Sequence, residues 1–376
     1  MCPGFPGSVG GFYSEGSRRT TLQGPVRAVV ESRNPRAMMA KGLTDIAGIR
    51  VGHASDFEAV TGCTVLLFGP EGAAAGVDVR GGAVGERELE TLRPGHLVER
   101  IHGLLLAGGS AFGLETAAGV MRCLEEQDIG FDAGVARVPI VPAAILFDLG
   151  IGESRRRPDA AMGYEAARRA TAGPVEEGSV GAGTGATVGK LFGMARATKS
   201  GLGTATVDLA GGVKVSALAV VNAFGDVRAA DTGKILAGLR RSPGSSQFAD
   251  TVAQMKRGAI RRGFGQPAPV ATHTTLAVVA TNARFERAAL ARIAAMAQDG
   301  LARTIAPVHT SFDGDVVFSI SLGRKRAEVN TVGQFAAEAV ARAIVHAVQK
   351  ARSLGGVPAV RDLGSRRAGG ASRRRA

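Results

Sequence analysis

His273-Thr274-Thr275-Leu276-Ala277-Val278-Val279-Ala280-Thr281-Asn282 is the stretch on which the reading of this chain turns. Residues 276–280 are continuously apolar, as in a strand buried on both faces. Two hydroxyl residues stand at its mouth. Just upstream lies Gly263-Phe264-Gly265-Gln266-Pro267-Ala268-Pro269, a Gly/Pro segment of the kind that punctuates structure. Thr-Thr before an apolar run is usually only the start of a strand. The same arrangement also suits a chain that cuts itself ahead of a hydroxyl residue. The freed α-amine would then sit beside its own side-chain oxygen, as the base an alcohol nucleophile needs.

Working outward, further blocks flank this stretch in order. Upstream are Val79-Arg80-Gly81-Gly82-Ala83, Leu105-Leu106-Ala107-Gly108-Gly109-Ser110-Ala111-Phe112-Gly113-Leu114-Glu115 and Val141-Pro142-Ala143-Ala144-Ile145-Leu146-Phe147-Asp148. Gly181-Ala182-Gly183-Thr184-Gly185-Ala186 and Val220-Val221-Asn222-Ala223-Phe224-Gly225-Asp226 follow. Downstream come Asp299-Gly300-Leu301-Ala302-Arg303 and Phe312-Asp313-Gly314-Asp315. Together, from about residue 42 to about 348, these blocks resemble the P1 family of peptidases. That family includes the DmpA-type L-aminopeptidase/D-esterases and the β-peptidyl aminopeptidases.

The resemblance implies an α+β fold, a four-layer αββα sandwich like that of the N-terminal-nucleophile hydrolases but differently connected. It implies a precursor cut just before a Ser or Thr, which by position is Thr274. Asn222 matches the family residue that donates to the oxyanion. Asp313 and Asp315 resemble the pair, Ser and Glu in some members, that orients the nucleophile's amine or hydroxyl. Two positions depart from the pattern. The residue before the cut is His273 where Thr-nucleophile members have Asn. A Tyr that helps hold the oxyanion in some members falls on Phe147, which has no hydroxyl. The resemblance implies no metal or organic cofactor and an assembly of αβ heterodimers into a homo-oligomer.

The residues alone allow plainer readings. Asn222 ends an apolar run, where a carboxamide is costly unless hydrogen-bonded. Asp-Gly-Asp is by itself an ordinary turn, and no His or Glu follows at metal-ligand spacing. Residues 108–113 open a helix as a phosphate cradle would, but they miss the dinucleotide spacing. Close backbone approach is the preferred reading there, with the amides of Gly108 and Gly109 offered as a further oxyanion donor and substrate contact. Gly189-Lys190 lacks the P-loop context, since Thr184 and Leu191 stand where Gly and Ser or Thr are required. The six His form no HExxH. His309 lies near the two Asp, with a support role or a capping or core role both open.

A formal charge of +13 invites a nucleic-acid reading. More than half of the excess lies at the ends, in five Arg against two Glu over residues 1–40 and five Arg over residues 363–376. A disordered lead-in (residues 1–41) and a solvated basic tail (361–376) are therefore expected around one domain, residues 42–360. Cys2, Cys63 and Cys123 make no disulfide framework. No apolar run approaches the ~20 residues of a membrane span and no signal-peptide order opens the chain, so a cytoplasmic protein is expected. Helices are expected near residues 111–125, 162–172, 248–258, 286–301 and 334–351, among strands in mixed order. The expected function is a self-processing aminopeptidase, amidase or esterase acting on small peptides, amides or esters through an acyl-Thr274. An acyltransferase of the same fold, or an uncut basic binding protein with salt-dependent affinity for nucleic acid, stands against it.

Overall fold

The computed structural model describes residues 42–260 and 273–363. The expected lead-in (1–41), residues 364–376 of the tail and the Gly/Pro linker ahead of His273 lie outside the described residues. In chain order the main strands are β1 (Arg50–Asp56), β2 (Thr61–Leu67), β3 (Ala74–Gly81), β4 (Glu86–Arg87) and β5 (Gly103–Ala107). They continue with β6 (Ala143–Ile145), β7 (Leu202–Asp208), β8 (Lys214–Asn222), β9 (Thr274–Ala283) and β10 (Gly314–Lys325). The larger helices are α1 (Thr116–Glu125), α2 (Ala160–Arg168), α3 (Arg287–Thr304) and α4 (Val329–Lys350).

Two five-stranded sheets result, in the orders β1-β2-β5-β6-β4 and β7-β8-β9-β10-β3. Each contains a parallel pair, β5–β6 and β9–β10. Parallel neighbours need a crossover, and α1 and α3 supply the two.

Alternation along the strands explains the layering. In β9, Leu276, Val278 and Ala280 turn inward with Leu66, Leu104, Leu218, Val316 and Phe318 to fill the space between the sheets. Ala277 and Val279 turn outward with Val317 against Leu290, Ile293 and Ala297 of α3 and Val340 and Ile344 of α4. On the other side, Cys63, Val65 and Leu105 meet Val120 and Leu124 of α1 and Ala166 of α2. The order of layers is helix, sheet, sheet, helix. Glycine lets them approach: a Cβ on Gly203 of β7 would stand 2.2 Å from the carbonyl oxygen of Ala343 in α4.

Helix ends differ from expectation where side chains cap them. Glu328 accepts the N–H groups of Asn330 (2.8 Å) and Thr331 (2.7 Å), so α4 begins at Val329, ahead of the expected 334. Asp159 accepts the N–H of Met162 at 2.8 Å and starts α2 at Ala160. The segment ahead of α1 is a 3-10 turn, Ser110–Glu115. The expected helix over 248–258 shrinks to Thr251–Lys256. No helix among the described residues is long and apolar enough to cross a membrane.

Candidate active site

Thr274 opens β9, and its cross-strand partner is Asn222, the last residue of β8. Residues directly opposite in an antiparallel pair share a face. By alternation both side chains therefore turn to the inner layer, at the end where the two sheets part. There a cleft of about 280 Å³ opens, walled by residues 82–85, by Ser110 and Ala111, by Ile145 and Phe147, and by Thr274.

The Thr274 hydroxyl donates to the carbonyl oxygen of His273 at 2.5 Å. That oxygen also receives the N–H of Gly314 at 2.8 Å, while the His273 N–H donates to Phe312 O at 2.9 Å. His273 is thus held as a short extension of β9, bridged to Asp313, with its ring 5.3 Å from that of Phe224. Gly314 is also pressed against the loop after β3: a Cβ there would lie 2.4 Å from Ala83 O.

Asn222 is fully buried and its carboxamide is well used. Oδ1 accepts from Lys190 Nζ at 2.6 Å and from the Thr187 N–H at 3.1 Å, and Nδ2 donates to Phe147 O at 2.9 Å. Two donors on one atom settle which end of the amide is oxygen. Lys190 also donates to Asn222 O at 3.0 Å.

The two carboxylates stand at the start of β10, both buried. Asp315 Oδ1 accepts the Thr275 N–H at 2.7 Å, and its Oδ2 accepts the His309 N–H at 3.2 Å and faces His309 Nδ1 at 2.8 Å. Asp313 Oδ1 accepts the Phe224 N–H at 3.1 Å, and its Oδ2 takes the N–H (3.2 Å) and hydroxyl of Thr310. Burial, and then the neighbouring charge of Asp315, push the Asp313 carboxyl up to about 6. Among the described residues no cluster of His, Cys, Asp and Glu is arranged to hold a metal ion.

Thr274, Asn222, Asp313, Asp315 and His273 are therefore brought together, and Phe147 reaches the same cleft. Gly108 and Gly109 require a correction. Their N–H groups are taken by Gly62 O (2.9 Å) and by Asp148 Oδ1 (2.7 Å), so neither is offered to the cleft as a donor. What the loop presents instead is Ser110, in a left-handed backbone conformation (φ 57°), and Ala111. The sequence alone does not mark Lys190 or the Gly314 N–H as site groups. The one hint is that Lys190 is the single charge between Gly178 and Gly193.

The model of peptidase family S58 matches residues 41–361. An uncharacterized aminopeptidase of Mycobacterium tuberculosis is 41% identical over 354 residues, covering 85% of this chain and 97% of its own. A 6-aminohexanoate-oligomer endohydrolase of Kocuria sp. is 30% identical over 324 residues, covering 81% and 85%. Among solved structures, a Burkholderia sp. β-aminopeptidase superposes with a TM-score of 0.60 at 23% identity, over 87% of this chain and 94% of that one. The L-aminopeptidase D-Ala-esterase/amidase of Ochrobactrum anthropi, a variant of the Ntn hydrolase fold, gives 0.62 at 20% identity, over 85% and 88%. The structural likenesses carry the fold, and bear out the layered architecture expected from the sequence. The family match and the sequence relatives carry more: this chain belongs to peptidase family S58.

Proposed function

We propose that the chain is a self-processing amide and ester hydrolase whose nucleophile is Thr274. The observation that carries this reading is the Thr274 hydroxyl, at the edge of the cleft and hydrogen-bonded to the carbonyl of the bond to be cut. In the first reaction Oγ1 attacks the carbonyl carbon of His273. The oxyanion that forms is the oxygen already facing the Gly314 N–H. Collapse breaks the C–N bond, the proton that Oγ1 gives up passes to the amide nitrogen, and the His273 acyl group is left as an ester on Oγ1. Water hydrolyses this ester to the His273 carboxylic acid and the Thr274 hydroxyl, which now stands beside the freed amine.

In the second reaction the amine takes the Oγ1 proton while the oxygen attacks a substrate carbonyl. Asn222 Nδ2, which carries a second N–H besides the one given to Phe147, donates to the oxyanion. The leaving amine or alcohol departs protonated, and water releases the acyl group from Thr274. Asp315 and Asp313 fix the backbone on either side of the reacting centre. Relatives named as an aminopeptidase and an oligomer endohydrolase support amide bonds as the target. The small, largely apolar cleft supports short substrates. Residues 42–360 act as one hydrolase domain, in the cytoplasm, and the chains 1–273 and 274–376 stay assembled as αβ units of a homo-oligomer.

Intact-mass spectrometry of the purified protein beside Thr274→Ala tests the reading. Two chains split before Thr274 in the wild type and a single chain in the variant are expected. A wild type that stays whole after prolonged incubation overturns it.

A further inference from the structure

The chemistry just described gives no role to the His309 side chain in the carboxylate turn. His309 has a left-handed backbone (φ 53°), and both its main-chain N–H (3.2 Å) and its ring Nδ1 (2.8 Å) point at Oδ2 of Asp315. Beside an ionised carboxylate, Nδ1 is the nitrogen that carries the proton. The other oxygen of the same carboxylate, Oδ1, holds the Thr275 N–H at 2.7 Å. One buried carboxylate therefore spans from the His309 ring to the peptide unit that follows Thr274.

We propose that His309 is a positioning residue: its Nδ1–H fixes the Asp315 carboxylate, which anchors the Thr274–Thr275 peptide unit and so aims the Thr274 oxygen. Asp315 is buried, so water does not readily replace a lost partner. Its acidic neighbour Asp313 repels it. Without the ring, Oδ2 keeps only the longer bond from the His309 main-chain N–H (3.2 Å), and the grip of Oδ1 on the Thr275 N–H loosens with it.

The choice of residue argues against a mere turn former. A turn that needs only positive φ is served by Gly or Asn. His309 instead leaves its Nε2 buried and without a hydrogen bond among the described residues, a cost that calls for a compensating role. The one hydrogen bond of its ring among the described residues goes to Asp315.

This inference rests on Thr274 being the nucleophile, and the test separates the two. His309→Gly keeps the backbone conformation and removes the donor. His309→Asn keeps the conformation and places an amide N–H where Nδ1 stood. The full chain of each is followed by intact-mass time course for self-cleavage, and by kcat and KM on alanine p-nitroanilide. In His309→Gly, self-cleavage and kcat should fall about ten- to a hundred-fold, as for a misplaced reacting group, with KM little changed; His309→Asn should restore most of both. If His309→Gly proves unfolded by circular dichroism, His309→Asp, which sets a like charge against Asp315, replaces it and should be slower than His309→Asn. Wild-type rates in His309→Gly, or equal losses in His309→Asn, overturn the assignment of His309 alone. A wild type that neither cuts itself nor turns over the anilide removes the nucleophile and this inference with it.

Discussion

Asn222 is the buried polar side chain on which most of the proposed chemistry converges. If its Nδ2 stabilises the oxyanion, Asn222→Ala should lower kcat by on the order of 10²–10³ with a much smaller effect on KM. Steady-state kinetics on folded variant decide it, and a loss confined to KM sinks the role. Asp313 carries a second residue-level prediction. With its carboxyl pushed up to about 6 by burial and by Asp315, a rate that needs the ionised form should fall as the pH drops through about 6. Asp313→Asn should abolish that acid limb along with most of the rate, and a limb that survives the substitution assigns it elsewhere. The stability effect has the opposite sense. A raised folded-state value favours the fold below the ordinary carboxylate range, and that contribution is lost as the pH rises through about 6. These residues were legible through the family resemblance; by themselves Asn222 reads as the end of an apolar run and Asp313 as part of an ordinary turn. Lys190 was not, because a lone lysine in a Gly-rich stretch reads as surface until its burial against Asn222 is seen.

The elements follow their hydrophobic periods, and the residue that matters most between elements is the one with no side chain. Where α4 crosses β7, Gly203 faces the Ala343 carbonyl at a distance no Cβ tolerates. Gly203→Ala should therefore force α4 outward and cost at least about 1–3 kcal/mol, as overpacking does. Gly69→Ala, where an added Cβ has no heavy atom within 4 Å, is the control and should be close to neutral. Urea unfolding of both variants checks the contrast, and equal midpoints contradict it. Strand and helix periodicity put β8, β9, α3 and α4 within a few residues of their observed places. The ends of helices escaped the sequence because caps act through side-chain reach, as Glu328 does to Asn330 and Thr331 at α4 and Asp250 does to Ala253 at the short helix Thr251–Lys256. Spacing of apolar residues carries no trace of that reach. Which glycine meets which helix depends on the crossing itself, and no local pattern encodes that.

At the scale of the whole molecule, the two sheets are joined on one side by residues 181–186, which the sequence shows only as a Gly-rich loop or strand. The first sheet holds this segment through Ser55 Oγ, which accepts the Gly181 N–H at 2.8 Å, and Thr64 Oγ1, which accepts the Ala182 N–H at 3.0 Å. On its other side, Lys199, in a two-stranded ribbon (Thr198–Lys199 paired with Thr187–Val188) just ahead of β7, donates to the carbonyls of Gly183 (3.1 Å), Ala186 (2.9 Å) and Ser200 (2.6 Å). A long-range seam of this kind leaves no local pattern. A lysine buried this way has its ammonium pushed down to about 7 by desolvation, against a smaller opposing pull from the charge of Asp148. In the unfolded chain it titrates in the ordinary lysine range. The charged form is thus disfavoured by folding, and the penalty is full below about 7 and relieved as the pH rises toward that range. Lys199→Met fills similar space but withdraws the donor, and a carbonyl left unsatisfied costs about 1–3 kcal/mol; the Ala186 oxygen keeps the Ser200 N–H and the Gly183 oxygen keeps the Ala186 N–H, so the loss falls on the Ser200 oxygen. The variant also escapes the penalty, so it should compare best with the wild type near pH 7. Above that, the wild type's advantage should widen by up to about 1.4 kcal/mol per pH unit. Urea unfolding of both proteins at pH 7, 8 and 9 measures the difference directly. A gap that stays constant across that range means that Lys199 keeps its charge inside the fold, and the seam is then closed by an ion rather than by an amine.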